Sequence, residues 1–252
     1  MTRVVLERWA GVAPGLSDPS DWTHWARDVT PNRDAAPMRG EARPEVKFLP
    51  AMQRRRCDGL SRLMLAAANA CCEESLRGEV LSVFASRHGS FTTTVAMLEK
   101  LARGEPLSPT QFSHSVHNAQ AGLFSIWAGN EEVAQSLASR NETFEHGFLE
   151  SVCLLARSRG RSVLFVTADE ALPEPVARLS DDPDPPYAVA LLLRADGGVG
   201  GALDFDLERA EDDGATIRAW PKAVEFLRWW LGDEDVLRLG TPPRSFVWRR
   251  AR

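Results

Sequence analysis

Serine and histidine stand close together at two places in the chain, and nucleophilic hydrolysis would need such a pairing. His88 is separated from Ser90 by one glycine, and His114 lies between Ser113 and Ser115. A catalytic triad is assembled in space from distant positions, so proximity in sequence alone does not indicate one. The G-x-S-x-G elbow of serine hydrolases is absent from the sequence. We therefore expect hydrogen-bonded or solvated side chains here instead of a hydrolytic site.

Metal and cofactor chemistry is no better supported by the residue spacing. His114 and His117 would lie on one face of a helix, but no third ligand stands at a matching spacing. The cysteines show no C-x-x-C motif, which favours buried, reduced thiols. They are Cys57, Cys71, Cys72 and Cys153. The sequence therefore predicts no metal site and no cofactor.

Two further segments each allow two interpretations. Gly197, Gly198, Gly200 and Gly201 have the density of a phosphate loop, but they join two predicted strands and are more typical of a hairpin turn. The arginine run 54–56 is either a solvated loop edge or a docking site for an acidic partner.

Composition limits the class of protein. The chain has 252 residues with 30 Lys+Arg and 35 Asp+Glu, a net charge of −5, whereas a dedicated nucleic-acid binder carries a basic surplus. The longest apolar run, Ala188 to Leu193, is far shorter than the roughly 18 residues of a membrane span. The first residues also lack the apolar stretch of a secretory signal. We expect a soluble, cytoplasmic protein with a sizeable core, no membrane span and no nucleic-acid partner.

Helical periodicity and apolar runs predict the elements that carry these residues. Leu60, Leu63, Met64 and Ala67 form one apolar stripe of a helix that Asp58 would cap. Further helices are predicted over 95–102, 108–117, 119–127, 143–156 and 223–231. In the first of these the apolar face is Val95, Leu98, Leu101 and Ala102, and in the second Ser108 is the N-cap and Pro109 the first helical residue.

Strands are predicted at 4–6, 80–85, 133–139, 162–167, 187–194, 200–207 and 246–248. The alternation of helices with near-continuous apolar strands predicts an α/β fold with a sheet covered by helices on both faces. We expect a single domain over residues 1–252. The segment 30–50 is rich in proline and arginine and is predicted to be a surface loop.

The central part of the chain resembles the β-ketoacyl synthases. In that family a Ser-Pro-x-x-(Phe/Ile)-Pro segment leads to Asn-x-Ala-Ala-Gly-x-x-Ser-Ile, and the similar stretches here are Ser108–Phe112 and Asn118–Ile126. Upstream, Asp58–Ala68 is similar to the family's helix that begins with Asp-Arg. Downstream, Ser162–Ala171 is similar to the strand that ends in Gly-Gly-x-Glu-Ala. The resemblance implies a thiolase-like fold with a mixed sheet, equivalent to half of a ketosynthase.

The departures from that family concern its catalytic residues. The ketosynthase nucleophile is a cysteine where the helix predicted over 143–156 begins, and the resemblance puts this position at Asn141, give or take a residue. Cys153 lies three turns into the helix, away from the helix N-terminus or cation that makes a thiol reactive. The family's two catalytic histidines and its lysine lie in a C-terminal half for which the chain has no room. Residues 208–252 are interpreted as a divergent extension, and no catalytic residue is predicted.

This combination resembles the short, noncatalytic chain-length factors of aryl polyene and related pathways. The resemblance implies a heterodimer with a complete ketosynthase, which condenses substrates carried by acyl carrier protein while the noncatalytic subunit shapes its acyl tunnel. It also implies that 133–139 is an interfacial strand. The residues assigned to the tunnel and interface are Gln111, Phe112, Ser115, Val116, Asn118, Ala119 and Gly122.

Several alternatives stay open at this point. The chain would otherwise be a stand-alone homodimer that binds acyl chains or carrier protein, or an enzyme with a repurposed hydrolytic or acyl-transfer site. Phe112 either blocks the partner's tunnel or packs within its own subunit. Four tryptophans face either a partner or the core: Trp127, Trp229, Trp230 and Trp248.

Overall fold

One eight-stranded sheet runs through the part of the chain that the structure, a computed structural model, describes. The described residues are 1–27, 38, 40, 42–158, 160–174, 176–179, 185–197, 200–210 and 220–251. The strands are β1 (Thr2–Val12), β2 (Leu81–Ala85), β3 (Ala134–Leu137), β4 (Ser162–Asp169), β5 (Tyr187–Arg194), β6 (Gly201–Arg209), β7 (Val236–Leu239) and β8 (Arg244–Arg250). The α-helices are α1 (Pro19–Arg27), α2 (Ala51–Arg54), α3 (Gly59–Cys71), α4 (Glu74–Arg77), α5 (Phe91–Ala102), α6 (Pro109–Ser115), α7 (Ala119–Ala128), α8 (Thr143–Arg157) and α9 (Lys222–Leu231).

The sheet is mixed, as predicted. Its strand order is β3-β2-β4-β5-β1-β6-β8-β7. β2 runs parallel to both β3 and β4, whereas every neighbouring pair from β4 to β7 is antiparallel. The parallel end therefore carries the helical crossovers, and β3 is the edge strand there.

Helices cover both faces of the sheet, and β4 shows why. All eight residues of β4 are buried. Val163 and Phe165 point into a first core shared with α1, α8 and α9, while Leu164 and Val166 point into a second core shared with α3 and α7. Because side chains alternate between faces along a strand, a continuous apolar run requires cover on both sides. The predicted fold class is confirmed.

Four tryptophans considered for a partner surface pack within the chain. Trp229 and Trp248 are buried in the first core, Trp127 lies 4.8 Å from the Phe48 ring, and Trp230 packs over Gly201. Their bulk therefore fills the two cores.

The described part of segment 30–50 is not simply a surface loop, which corrects that prediction. Met38 is buried in the first core, and Val46 and Leu49 are buried in the second. The proline and arginine content indicated the absence of regular structure, but the isolated apolar residues anchor the segment to the cores. Residues 30–37, 39 and 41 lie outside the described residues.

The segment 208–252, interpreted from sequence as an extension, contributes α9, β7 and β8. β8 pairs with β6 from Leu203↔Arg250 to Arg209↔Arg244. Trp248 is fully buried in the first core. The segment is therefore an integral part of this sheet and its core, and β7 is a strand that the sequence did not predict. Residues 211–219 and 252 lie outside the described residues.

Candidate functional site

The helix expected to floor an acyl tunnel begins as predicted. The Ser108 hydroxyl caps α6 by accepting a hydrogen bond from the Gln111 backbone N–H, and Pro109 occupies the first turn. α6 ends at Ser115, two residues before the predicted end, because Val116 adopts an extended conformation.

The predicted tunnel and interface residues lie together on α6 and the start of α7. Gln111 accepts a hydrogen bond from Lys100 Nζ at 3.0 Å, and Ser115 Oγ donates to the Phe112 carbonyl at 2.8 Å. Gln111, Ser115 and Ala119 are half-buried, whereas Phe112, Val116, Asn118 and Gly122 are exposed. Phe112 is 61% exposed, so the alternative in which it packs within its own subunit is wrong for this chain alone.

Sequence reasoning missed the extent of exposed apolar surface around these residues. Six of the ten large apolar residues exposed in the described structure lie on or beside α5, α6, α7 and β3. We call them the apolar face: Leu98, Leu101, Phe112, Val116, Ile126 and Val133. Each of these elements contacts the next one. The apolar pattern of α5 was predicted, but only its Met97 is buried, since periodicity does not tell what a face packs against.

The edge strand β3 borders the apolar face. β3 pairs with β2 through Ala134, Gln135, Ser136 and Leu137, and within the described residues its other side pairs with no strand. An open strand edge leaves unpaired N–H and C=O groups that can extend a sheet into another chain. The segment predicted as an interfacial strand therefore has an edge available for pairing.

A strained turn joins β3 to α8, at the position where the ketosynthase nucleophile is expected. Arg140 has φ 51°, the one positive value outside glycine in the described structure, and holding such a residue costs of order 1–3 kcal/mol. Asn141 follows inside a short 3₁₀ helix, Arg140–Glu142. A sharp, strained turn from strand to helix is how α/β-hydrolases expose a nucleophile. Here the turn presents an arginine and an asparagine.

Glu142 ties this turn to the C-terminal part of the chain. Its carboxylate accepts hydrogen bonds from the Thr241 backbone N–H at 2.8 Å and from Arg244 Nη2 at 3.2 Å. The turn (Arg140–Glu142) and the loop Thr241–Arg244 thereby border an open cavity of about 690 Å³. Its lining residues are Arg87, His88, Ser139, Arg140, Asn141, Glu142, Thr241, Pro242 and Arg244.

A buried carboxyl network lies behind this cavity. Asp169 accepts hydrogen bonds from Ser86 Oγ at 2.8 Å, from the His88 backbone N–H at 3.0 Å and from the Tyr187 hydroxyl at 3.2 Å. Burial raises the pKa of Asp169, and burial also lowers the pKa of the His88 imidazole. Asp169 thereby ties the His88 backbone in the cavity wall to the end of β4 and to Tyr187 of β5.

The serine and histidine pairs of the sequence do not form hydrolytic sites in the described structure. Ser90 is buried and accepts a hydrogen bond from Gln120 Nε2 at 2.9 Å. Ser139 and His88 line the same cavity, but the described contacts include no hydrogen bond between them. His114 Nε2 is buried without a hydrogen-bond partner, and no group of three potential metal ligands occurs among the described residues.

The cysteines lie away from the turn. All four are free. Burial raises the pKa of the Cys71 thiol, and raises that of Cys72 to about 11. Cys153 is half-buried in α8. None of them lines the cavity.

Comparisons with known proteins agree with this geometry. A family model described as β-ketoacyl synthase, N-terminal domain, matches residues 22–249. No curated protein matches the chain significantly. The structure of a ketosynthase (ApeO) in complex with its chain length factor (ApeC) from Xenorhabdus doucetiae contains a chain that is 28% identical, with a TM-score of 0.80 over 99% of this chain and 100% of that one.

Two more distant structures share the fold. The ishigamide ketosynthase/chain length factor is 14% identical, with a TM-score of 0.64 over 83% of this chain and 68% of that one. The AntDE:AntF complex, a type II PKS acyl-carrier protein with its ketosynthase, is 9% identical, with a TM-score of 0.70 over 99% of both chains. Within the described residues no helix combines the length and apolarity needed to cross a bilayer. With its mixed sheet, its strained turn before α8 and a family match over most of its length, the chain belongs to the β-ketoacyl synthase N-terminal domain family.

Proposed function

We propose that this chain is a noncatalytic ketosynthase-like subunit, a chain-length factor that pairs with a complete ketosynthase. The partner condenses acyl groups carried by acyl carrier protein, in aryl polyene, polyketide or fatty-acid-type biosynthesis. The chain completes the interface and shapes the acyl tunnel with α6. Its setting is the cytoplasm, where thiols stay reduced and the four free cysteines need no disulfide.

The apolar face is the observation that carries this proposal. Phe112 and Ile126 are 61% and 67% exposed, and Leu98 is 60% exposed. Exposed large apolar side chains concentrated on neighbouring elements are typical of an interaction site. The open edge of β3 lies beside it, so one partner would cover both the apolar side chains and the unpaired backbone groups.

The absence of a nucleophile at the turn supports the noncatalytic role. Neither Arg140 nor Asn141 carries a thiol or a hydroxyl, so neither side chain can accept an acyl group from a carrier-protein thioester as a covalent thioester or ester intermediate. The homologous structure supports the pairing, because its ketosynthase is bound to a chain length factor and this chain matches one of its chains along the whole length.

Interface variants test the proposal. The chain is co-expressed with a complete ketosynthase, and the complex is measured by sedimentation. We expect Ile126→Glu to abolish a one-to-one complex, because a desolvated charge would lie in the interface. Leu207→Glu is the matched control, since Leu207 is 49% exposed on β6, outside the apolar face.

The same measurement separates the alternatives. A complex that survives Ile126→Glu unchanged would contradict the proposed interface. A dimer of this chain alone that persists in the presence of the ketosynthase would favour the stand-alone homodimer instead.

A further inference from the structure

The cavity between the turn and the loop Thr241–Arg244 has the features of a binding site. We propose that it binds a divalent oxyanion, either a phosphate or a dicarboxylate, through Arg87 and Arg140. This inference does not depend on the proposed function, because it concerns a cavity built entirely from this chain.

The balance of charge in the cavity wall carries the inference. Three arginine residues line it, Arg87, Arg140 and Arg244, and the acidic residue among the described lining residues is Glu142. Arg244 already pairs with Glu142 at 3.2 Å. For Arg87 and Arg140 the described part of the chain provides no carboxylate partner. Two arginines without a carboxylate partner in the described structure therefore belong to the lining of one cavity.

The Glu142 carboxylate is held in place by hydrogen bonds within the chain. It accepts hydrogen bonds from the Thr241 N–H and from Arg244, and it is 7% exposed. It is therefore not free to turn toward Arg87 or Arg140. Since Arg244 is held by Glu142, the ligand would be bound by the other two arginines.

The N-terminus of α8 lies next to the cavity, and its first turn also carries Glu145. The 15-residue helix α8 begins beside the turn, and its N-cap residue Glu142 makes no side-chain capping hydrogen bond. The N-terminus of a helix presents free N–H groups and a partial positive charge. Arg87 stands directly before His88 in the chain, and both residues line the cavity.

The chemistry of the groups indicates the ligand class. A guanidinium has a planar fork of donors that matches carboxylate and phosphate oxygens in pairs. Two such groups favour a ligand with two negative charges over a monoanion. A cavity of about 690 Å³ has room for a phosphate or dicarboxylate together with part of a larger molecule.

Titration calorimetry on the full chain tests this inference. If the chain is purified only in complex with the ketosynthase, the complex is titrated instead. Inorganic phosphate, malonate and acetate are the probes, at 0.15 M salt to screen weak surface binding. We expect saturable one-to-one binding of phosphate or malonate, with acetate at least about tenfold weaker. Whichever of the two dianions binds more tightly shows whether the natural ligand carries a phosphate or a dicarboxylate group.

Charge-removing variants localise the binding. Arg87→Gln and Arg140→Gln should each weaken it about tenfold or more, whereas Arg8→Gln should change it less than twofold. Arg8 is the matched control because it is an arginine outside the cavity, paired with Glu73. Absence of saturable binding, or equal weakening by Arg8→Gln, would overturn the proposal. Binding that survives both cavity variants would overturn it as well.

Discussion

Arg244 and Glu142 are 102 residues apart in sequence, and their side chains form an ion pair at 3.2 Å. Arg244 begins β8, and Glu142 stands immediately before α8. The pair therefore connects the start of β8 to the turn after β3. Without this connection the cavity at the turn would lose one wall.

Removing the Glu142 carboxylate should destabilise the fold. Glu142→Ala leaves the Thr241 N–H and the Arg244 guanidinium without their acceptor, and losing a buried acceptor of this kind costs about 1–3 kcal/mol. Urea unfolding measures the change. Glu99→Ala is the control, because its exposed pair with Arg103 contributes about 0.5 kcal/mol or less. Equal losses in the two variants would contradict this account.

Glu170 should make stability depend on pH. Burial, followed by the charge of Asp58, raises its pKa to about 7. Between the ordinary carboxyl pKa and about 7 the folded state binds more protons than the unfolded state, so this contribution to stability falls as pH rises through that window. Glu170→Gln should therefore be more stable than the natural chain at pH 8, and the difference should shrink toward pH 5.

Urea unfolding at pH 5, 6, 7 and 8 checks this expectation. Glu74→Gln, an exposed substitution on α4, is the matched control. Its free energy of unfolding should change with pH in the same way as that of the natural chain. Parallel profiles for Glu170→Gln as well would show that burial does not perturb this carboxyl.

Phe112 should limit product length if α6 floors the partner's tunnel. Phe112→Ala removes a large exposed side chain. Large-to-small substitutions leave empty space, and here that space would lie where the acyl chain ends. We expect longer products at similar yield when the variant is co-expressed with the ketosynthase and products are analysed by mass spectrometry. Leu207→Ala should leave lengths unchanged. Unchanged lengths with an intact Phe112→Ala complex would show that Phe112 does not gate the tunnel.

Substitutions at Gly122 should affect the stability of the chain and its complex with the ketosynthase differently. A Cβ added at Gly122 would meet nothing within 4 Å in this chain, so Gly122→Ala should stabilise α7 by up to about 1 kcal/mol through helix propensity. Gly122→Leu should also fold, yet it should weaken the complex because a partner packed against this exposed glycine would clash. Thermal unfolding and sedimentation measure the two effects. A complex of full affinity with Gly122→Leu would place Gly122 outside the interface.

Local signals predicted the elements that carry the candidate site. Ser108 and Pro109 identify the start of α6 because capping and the proline φ restraint act within one turn. The continuous apolar run predicted β5 at its observed bounds, Tyr187–Arg194. The strand after α7 was also predicted, although β3 is shorter than 133–139.

Long-range contacts account for what the sequence did not reveal. The cavity forms because Thr241–Arg244 meets Arg140–Glu142, and no local pattern records that meeting. β7 has four residues with alternating exposure, too few to stand out from a loop. The apolar stripe of α5 predicted a helix, but whether Leu98 meets a core or a partner depends on tertiary packing.

The most direct test of the noncatalytic assignment is the intact mass of each subunit after incubation with an acyl-carrier-protein thioester. We expect an acyl adduct on the ketosynthase, none on this chain, and product only when both subunits are present. Arg140→Cys and Asn141→Cys should form no product without the ketosynthase, since no catalytic base is supplied. An acyl adduct on the natural chain, or product formed by it alone, would contradict the noncatalytic role.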